Sequence, residues 1–225
     1  MTSGSRIGNG RDKRKVLLVD DHPLVRRGLA DVIAREADLV VCGEASDVIE
    51  AMQVVERTNP DLVVVDLSLK SGHGIDLIEQ IKARDDRVKV LVSSMHDETL
   101  FAERVLRAGA MGYVTKQESP DTLLAAIRQV LRNEVYLSPR MTSRLLHRAV
   151  SPRAGSADPL ERLSNREIEV FEMIGQGLTT QQIAGRLKLS PKTVETHREK
   201  IKQKLNLKNS SELGRRAVQW VLERG

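Results

Sequence analysis

Hydrophobic and polar positions change rhythm along this chain, and the change divides it in two. Up to about residue 133, short apolar runs alternate with longer stretches in which apolar residues recur every three or four positions. The runs Lys15 to Val19, Leu39 to Cys42, Leu62 to Val65, Val88 to Val92 and Gly112 to Thr115 predict strands, and Leu62-Val63-Val64-Val65 predicts one buried on both faces, as in a parallel sheet. The periodic stretches predict helices over Leu24 to Ala34, Asp47 to Arg57, Gly74 to Ala83, Thr99 to Ala108 and Asp121 to Leu131. In the second of these Val48, Met52 and Val55 share a face, and in the third Ile75, Ile78 and Ile81 face inward.

Beyond residue 133 the strand rhythm is gone. Ser138 and Pro139 cap and open a helix over Arg140 to Ala149, and the stretch from Ser151 to Pro159 is rich in breakers and reads as a flexible linker. From Leu163 the period is helical. Ser164 with Glu167 forms a capping box before a helix over Asn165 to Ile174, which Gly175 and Gly177 stop. Thr180 to Leu187, a tight turn at Lys188-Leu189, and a helix from Ser190-Pro191 to about Leu205 describe a helix-turn-helix. A last helix covers Ser211 to Leu222. The fold class expected is α/β, a five-stranded doubly wound parallel sheet of the flavodoxin-like kind, followed by an all-α helix-turn-helix domain. The expected boundaries are a disordered tail over 1–14, the sheet domain over 15–133, a linker over 134–157 with its helix at about 139–149, and the helical domain over 158–225.

Composition narrows the function. Aromatic residues are 2% of the 225, so both cores must be aliphatic. The single cysteine, Cys42, sits in a strand-like run and leaves no disulfide framework. No apolar run is long enough to cross a bilayer, and the polar first fourteen residues lack the apolar middle of a secretion signal, so a cytoplasmic protein is expected. From Asp158 onward there are 13 Lys/Arg against 9 Asp/Glu, and before it 23 against 22, so the basic excess lies in the helical domain. That tilt suits a polyanionic partner.

The chemistry gathers at strand ends: Asp20 and Asp21 after the first strand, Asp66 after the third, Ser94 after the fourth and Lys116 after the fifth. In the 2-1-3-4-5 strand order the first and third strands are neighbours, so three carboxylates converge with a hydroxyl and an ammonium. Crowded carboxylates repel unless a cation joins them, and oxygen ligands suit Mg²⁺. With these five groups in place, the chain from Lys15 to about Asn133 resembles the receiver domain of two-component response regulators. The resemblance implies that Asp66 accepts a phosphoryl group from a cognate sensor histidine kinase. It implies further that Asp20, Asp21, Asp66 and the backbone carbonyl of Ser68 hold Mg²⁺, that Ser94 and Lys116 contact the phosphoryl oxygens, and that Ser94 and Tyr113 form the switch. For Tyr113, plain half-buried packing is the competing use. Two positions depart from the family pattern: Lys70 stands four residues after the phosphoacceptor and Gln117 follows Lys116, both where proline is usual. A haloacid-dehalogenase-like phosphatase would also use a strand-end Asp, but it needs a second acid two residues on, where this chain has Ser68.

On the helix from Pro191, one side carries Val194, His197, Ile201 and Leu205 and is expected to face the core. Lys192, Glu195, Thr196, Glu199 and Gln203 lie opposite, able to meet base edges, with Lys200, Lys202 and Lys204 on the flanks for phosphates. A solvated helix stitched by Glu195 with Arg198 and Glu199 with Lys202 is the alternative. No metal spacing links His197 to His22, His73, His96 or His147. The segment Leu163 to Val170, the Gly177 and Ile183-Ala184 positions, and Ser190 to His197 on through Lys204-Leu205 resemble the LuxR-type DNA-binding domain. Together with the receiver this is similar to the NarL/FixJ family of response regulators. The resemblance implies contacts to duplex promoter DNA through Lys192, Thr193, Glu195, Thr196, Arg198, Glu199, Lys200, Lys202, Gln203 and Lys204. It also implies a homodimer, when phosphorylated, through Leu213, Ala217, Trp220 and Val221 of the last helix, with Trp220 in its own domain's core as the competing use. The function expected is that of a transcription regulator phosphorylated on Asp66, not a dedicated enzyme and without a membrane partner. A phosphorylation-independent interaction module is the alternative.

Overall fold

The structure, a computed structural model, describes residues 13–69, 72–150 and 159–222. They fall into two compact units, one ending at Met141 and the other beginning at Thr142. The expected tail, apart from Lys13 and Arg14, the expected linker from Ser151 to Ala157, and Lys70 lie outside the described residues.

In the first unit β1 (Arg14–Val19), β2 (Leu39–Ala45), β3 (Leu62–Val65), β4 (Lys89–Ser94) and β5 (Gly112–Thr115) alternate with α1 (Pro23–Ala34), α2 (Val48–Thr58), α3 (Gly74–Arg84), α4 (Glu98–Arg107) and α5 (Pro120–Leu131). The strands pair in parallel in the order β2-β1-β3-β4-β5, the flavodoxin-like order expected. All four residues of β3 are buried, because helices cover both faces of a parallel sheet. On one face Val16, Leu18, Leu62, Val64 and Leu91 pack against Ile33 of α1 and Ile127 and Val130 of α5. Asp47, Asp97 and Ser119 start α2, α4 and α5 by accepting a hydrogen bond from a first-turn amide, each worth about 1 kcal/mol.

Two local expectations are corrected. The inward face of α2 is Ala51, Val54 and Val55; Val48 and Met52 are only half-buried, since Val48 lies in the first turn and packs toward Gly72. β2 continues past Cys42 to Ala45, because an irregularity shifts the register between Val41 and Gly43 and lets the ladder resume.

The first unit also extends past residue 133. Tyr136 donates its N–H to the Met111 carbonyl at 2.9 Å and accepts from Tyr113 N–H at 3.0 Å, pairing beside Gly112 at the edge of β5. Glu98 at the start of α4 accepts from both the N–H and the hydroxyl of Ser138. The same hydroxyl accepts from Met141 N–H at 3.1 Å and so caps α6 (Pro139–Val150), as expected of Ser138. Residues 134–141, assigned to the linker from sequence, are therefore fastened to the sheet domain.

The second unit takes up α6 from Thr142 and, from Pro159, has a 3₁₀ turn, Pro159–Arg162, that periodicity did not announce, then α7 (Asn165–Gly175), α8 (Thr180–Leu187), α9 (Pro191–Lys204) and α10 (Ser210–Leu222). Capping boxes open both α7 and α8. Lys188, in the left-handed region at φ 54°, closes α8 and turns the chain into α9. Gly177, at φ 82°, supplies the turn after α7. Gly175 serves closeness instead: a Cβ there would lie 2.5 Å from the Ala217 carbonyl oxygen of α10. The core comprises Val170, Phe171, Ile183, Val194, Ile201, Leu213, Ala217 and Trp220. Among the described residues no helix is long and apolar enough to cross a membrane.

Candidate functional site

Parallel pairing of β1 with β3, with Val19 opposite Val65, sets the residues that follow each strand side by side. Asp20, Asp21 and Asp66 are all buried there. Asp66 N–H donates to Val19 carbonyl at 2.8 Å and Asp20 N–H to Ala45 carbonyl at 3.1 Å, so the ladder carries on to the acids themselves. Lys116 follows β5, its N–H bonded to Ser94 carbonyl at 2.9 Å, and its ammonium lies 2.7 Å from Asp66 Oδ2 and 2.7 Å from Asp20 Oδ2. Lys116 reaches both acids with Gln117 behind it, not the proline of the family pattern.

Burial pushes the Asp66 carboxyl up from the ordinary carboxylate range, with the Lys116 charge opposing the shift. Burial also works against the Lys116 ammonium, but Asp66 and Asp20 outweigh it and raise its pKa, keeping it charged. One cation thus serves two carboxylates, while Asp66 Oδ1 stays buried without a hydrogen-bond partner. A buried carboxylate oxygen left unsatisfied is costly, and a metal ion is one remedy. Asp20, Asp21, His22 and Asp66 each offer a ligand atom within 4.8 Å of all the others and could hold such an ion. His22, passed over in the sequence, enters this cluster through Nδ1, 2.8 Å from Asp21 Oδ1 and 3.2 Å from Asp20 Oδ1.

Ser94 ends β4, fully buried, and its hydroxyl accepts from His96 N–H at 3.4 Å. Tyr113 is also buried, and its hydroxyl donates to the His96 carbonyl at 2.8 Å. Tyr113 is thus neither half-exposed nor merely packed: both hydroxyls of the expected switch meet on the backbone of one residue. His96 was read from sequence only as a histidine outside any metal pattern. Its ring lies 2.9 Å from Ser68 Oγ and packs on Phe101 at a centroid distance of 4.9 Å. No sequence spacing could have shown this, since Ser68 and His96 meet only through the pairing of β3 with β4.

In the second unit α9 turns Val194 and Ile201 fully inward, with His197 and Leu205 half-buried on the same side. Lys192, Glu195, Thr196, Glu199, Lys200 and Gln203 are exposed, as expected of a reading face; Thr193, Arg198 and Lys202 are partly covered. The stitching pairs form as well, Glu199 with Lys202 at 2.8 Å and Glu195 with Arg198 at 3.7 Å. Thr180 of α8 donates to Glu195 at 2.6 Å and ties the two helices together. Lys204, expected to reach phosphate, pairs here at 2.6 Å with Glu167, the capping-box residue of α7.

The residues expected to form a dimer face need correction. Leu213, Ala217 and Trp220 are buried inside their own unit, Trp220 edge-on to Phe171 at 5.3 Å, and Val221 lies half-buried beside Gly175. They face α7 because Gly175 lets the two helices approach so closely. The side of α10 that remains open carries Arg215, Val218, Gln219 and Leu222.

An acid pocket at the carboxyl ends of a parallel sheet, with a lysine across it and a helix-turn-helix in a separate unit, defines a response regulator that binds DNA. Residues 16–128 match the response regulator receiver domain, and residues 161–217 match the bacterial regulatory proteins of the luxR family. The chain belongs to the NarL/FixJ family of response regulators. It is 36% identical over 215 residues to the oxygen regulatory protein NreC of Staphylococcus carnosus, covering 93% of this chain and 97% of that protein. It is 34% identical over 197 residues to a nitrate/nitrite response regulator protein homolog of Haemophilus influenzae, covering 88% and 92%. Among solved structures it is similar to RcsB of Salmonella enterica serovar Typhimurium bound to promoter rprA in the presence of phosphomimetic BeF₃⁻, at 28% identity and a TM-score of 0.59, covering 91% of this chain and 98% of that one.

Proposed function

We propose that Asp66 takes a phosphoryl group from a histidine of a sensor kinase and that the phosphorylated protein binds promoter DNA as a homodimer. The observation that carries this is the Lys116 ammonium bridging Asp66 and Asp20 while the other Asp66 oxygen is left without a partner. In the transfer a carboxylate oxygen of Asp66 attacks phosphorus, the phosphorus–nitrogen bond breaks, and the kinase imidazole departs and takes up a proton. Lys116 is placed to neutralise charge gathering on the phosphoryl oxygens, and Ser94 to donate to one of them. The carboxylates of Asp20, Asp21 and Asp66, gathered with His22 and including a buried unsatisfied oxygen, fit Mg²⁺, and the Ser68 carbonyl is the further ligand that the family likeness implies. When bound, such an ion would supply positive charge to offset the negative charge of the phosphoryl oxygens. As Ser94 turns to the phosphoryl group it releases His96 N–H, and Tyr113, held by the carbonyl of the same residue, responds. RcsB, bound to promoter DNA with a phosphomimetic and found as dimers on DNA, supports the output half of this reading. The open side of α10, with Val218 and Leu222, is the surface offered to a second copy. The protein works in the cytoplasm as a regulator, not as a dedicated enzyme.

The test is incubation with a small phosphodonor and Mg²⁺, followed by intact-mass measurement. Wild type gains one phosphoryl group, Asp66→Asn gains none, and binding to promoter fragments tightens only in wild type. Binding that is equal with and without the donor would favour the phosphorylation-independent module.

A further inference from the structure

The Asp20-Asp21 turn is gripped from outside by a side chain with no part in the chemistry above. Arg26 sits in the first half of α1. Its Nη1 donates to the backbone carbonyl of Asp20 at 2.5 Å, and its Nε to Glu44 Oε2 at 2.9 Å. Glu44 belongs to β2 and precedes Ala45, whose carbonyl receives the Asp20 N–H at 3.1 Å. Both polar ends of Asp20 are therefore fixed to one strand, the N–H directly and the carbonyl through Arg26 and Glu44. The Arg26 side chain is only 18% exposed, so its fork is held rather than waving in solvent.

Asp20 stays tied to β2 through its N–H, but past Val19 the chain has, among the described residues, no further backbone bond to β3. The peptide between Asp20 and Asp21 has no strand partner for its carbonyl, so the ladder alone does not fix the rotation of that peptide or the backbone on which the two carboxylates stand. A guanidinium gripped by a carboxylate forbids the rotation, because its donors have fixed directions. We propose that Arg26, oriented by Glu44, is a positioning residue that presents Asp20 and Asp21 to a divalent cation. This rests on the reading above that the cation binds at these acids. Groups that orient metal ligands without touching the metal are worth about 10–100-fold in affinity.

The sign of the effect separates positioning from simple charge. Arg26 is itself a cation near the pocket, so if charge were all it contributed, removing it would tighten divalent binding. Positioning predicts the reverse: Arg26→Ala weakens binding by about 10-fold, and Arg26→Lys, which keeps the charge and loses the fork, also weakens it by several-fold. Glu44→Gln, which frees the guanidinium to wander, weakens it less.

The experiment is calorimetric titration of the full chain with Mg²⁺ for wild type, Arg26→Ala, Arg26→Lys, Glu44→Gln and Asp21→Asn, with circular dichroism melts to establish that each is folded. Saturable binding in wild type that is lost in Asp21→Asn and weakened in both Arg26 variants supports the proposal. If Arg26→Ala fails to fold, Arg26→Lys decides alone. Wild-type binding with equal or tighter affinity in the folded Arg26 variants overturns the positioning role and leaves the metal site standing. No Asp21-dependent binding in wild type removes the metal site and this inference with it.

Discussion

Lys116 holds the acid pocket together, and replacing it with methionine tests how much. The methionine keeps most of the stem and deletes the ammonium that lies 2.7 Å from each of Asp20 and Asp66. The lysine side chain is 8% exposed and each carboxylate 3%, so solvent cannot replace what is lost. Removing one partner of a buried ion pair costs about 3–5 kcal/mol. Two carboxylates lose their partner here, but Asp66, already pushed up by burial, takes on a proton and limits the penalty. A loss of about 4 kcal/mol follows, a fall of roughly 10–15 °C in the melting temperature of the first unit. The part Mg²⁺ plays is the sharper check. In wild type the ion must sit near an ammonium, whereas in Lys116→Met it enters a pocket whose negative charge is uncompensated. Saturating Mg²⁺ should thus raise the melting temperature of the variant more than that of wild type, closing about half the gap. Adding Asp66→Asn to Lys116→Met should recover stability in the absence of metal. Scanning calorimetry with and without MgCl₂ reads all three. A variant within about 1 kcal/mol of wild type, or an equal Mg²⁺ increment in both, would refute the picture of one cation restraining crowded carboxylates.

Other expectations follow from the second unit. Lys200→Ala should weaken binding to all duplex sequences alike and lower the salt slope by about 1, while Lys204→Ala should act first on thermal stability, because Lys204 pairs with Glu167. Salt titrations of binding, set beside melts, distinguish the two. Gly175→Ala puts a methyl 2.5 Å from the Ala217 carbonyl oxygen, well inside contact distance, and should destabilise the α7–α10 contact by about 1–3 kcal/mol in urea titration. The His197 imidazole is pushed down by burial and by Arg166 and Lys200, with Glu167 and Glu169 opposing. Its pKa in the folded unit lies below the unfolded value of about 6.5, so its contribution is present above about pH 6.5 and is lost as pH falls toward the folded value. Urea midpoints of that unit should drop from about pH 7.5 to about pH 5.5, and His197→Gln should reduce the drop.

The strand-end chemistry was legible because a parallel sheet converts sequence position into spatial position: once five short apolar runs are found, their carboxyl ends share one edge. Asp20, Asp21, Asp66, Ser94 and Lys116 came out that way. Helix faces were less legible, and α10 shows why. Periodicity tells that Leu213, Ala217, Trp220 and Val221 share a side, but not whether the cover is α7 or another molecule. The pairing of Lys204 was hidden for a similar reason, since its partner Glu167 lies 37 positions away and is also engaged in a cap. Residues 134–141 carry too few alternating positions to read as a strand, yet one bridge at Tyr136 and the bond from Ser138 to Glu98 bind them to the sheet. Arg26 left no signal, because it grips a backbone carbonyl and backbone has no letter of its own.

The edge-on contact of Trp220 with Phe171 has a practical side. This is the only tryptophan in the protein, and it belongs to the unit that does not contain Asp66. The unit that holds the acid pocket has no indole of its own, so emission from this protein reports on the surroundings of Trp220 in the helical unit. A shift in emission on adding a phosphodonor would mean that the surroundings of Trp220 in the helical unit had changed. The chain thus carries a natural dye placed at the receiving end of its own message.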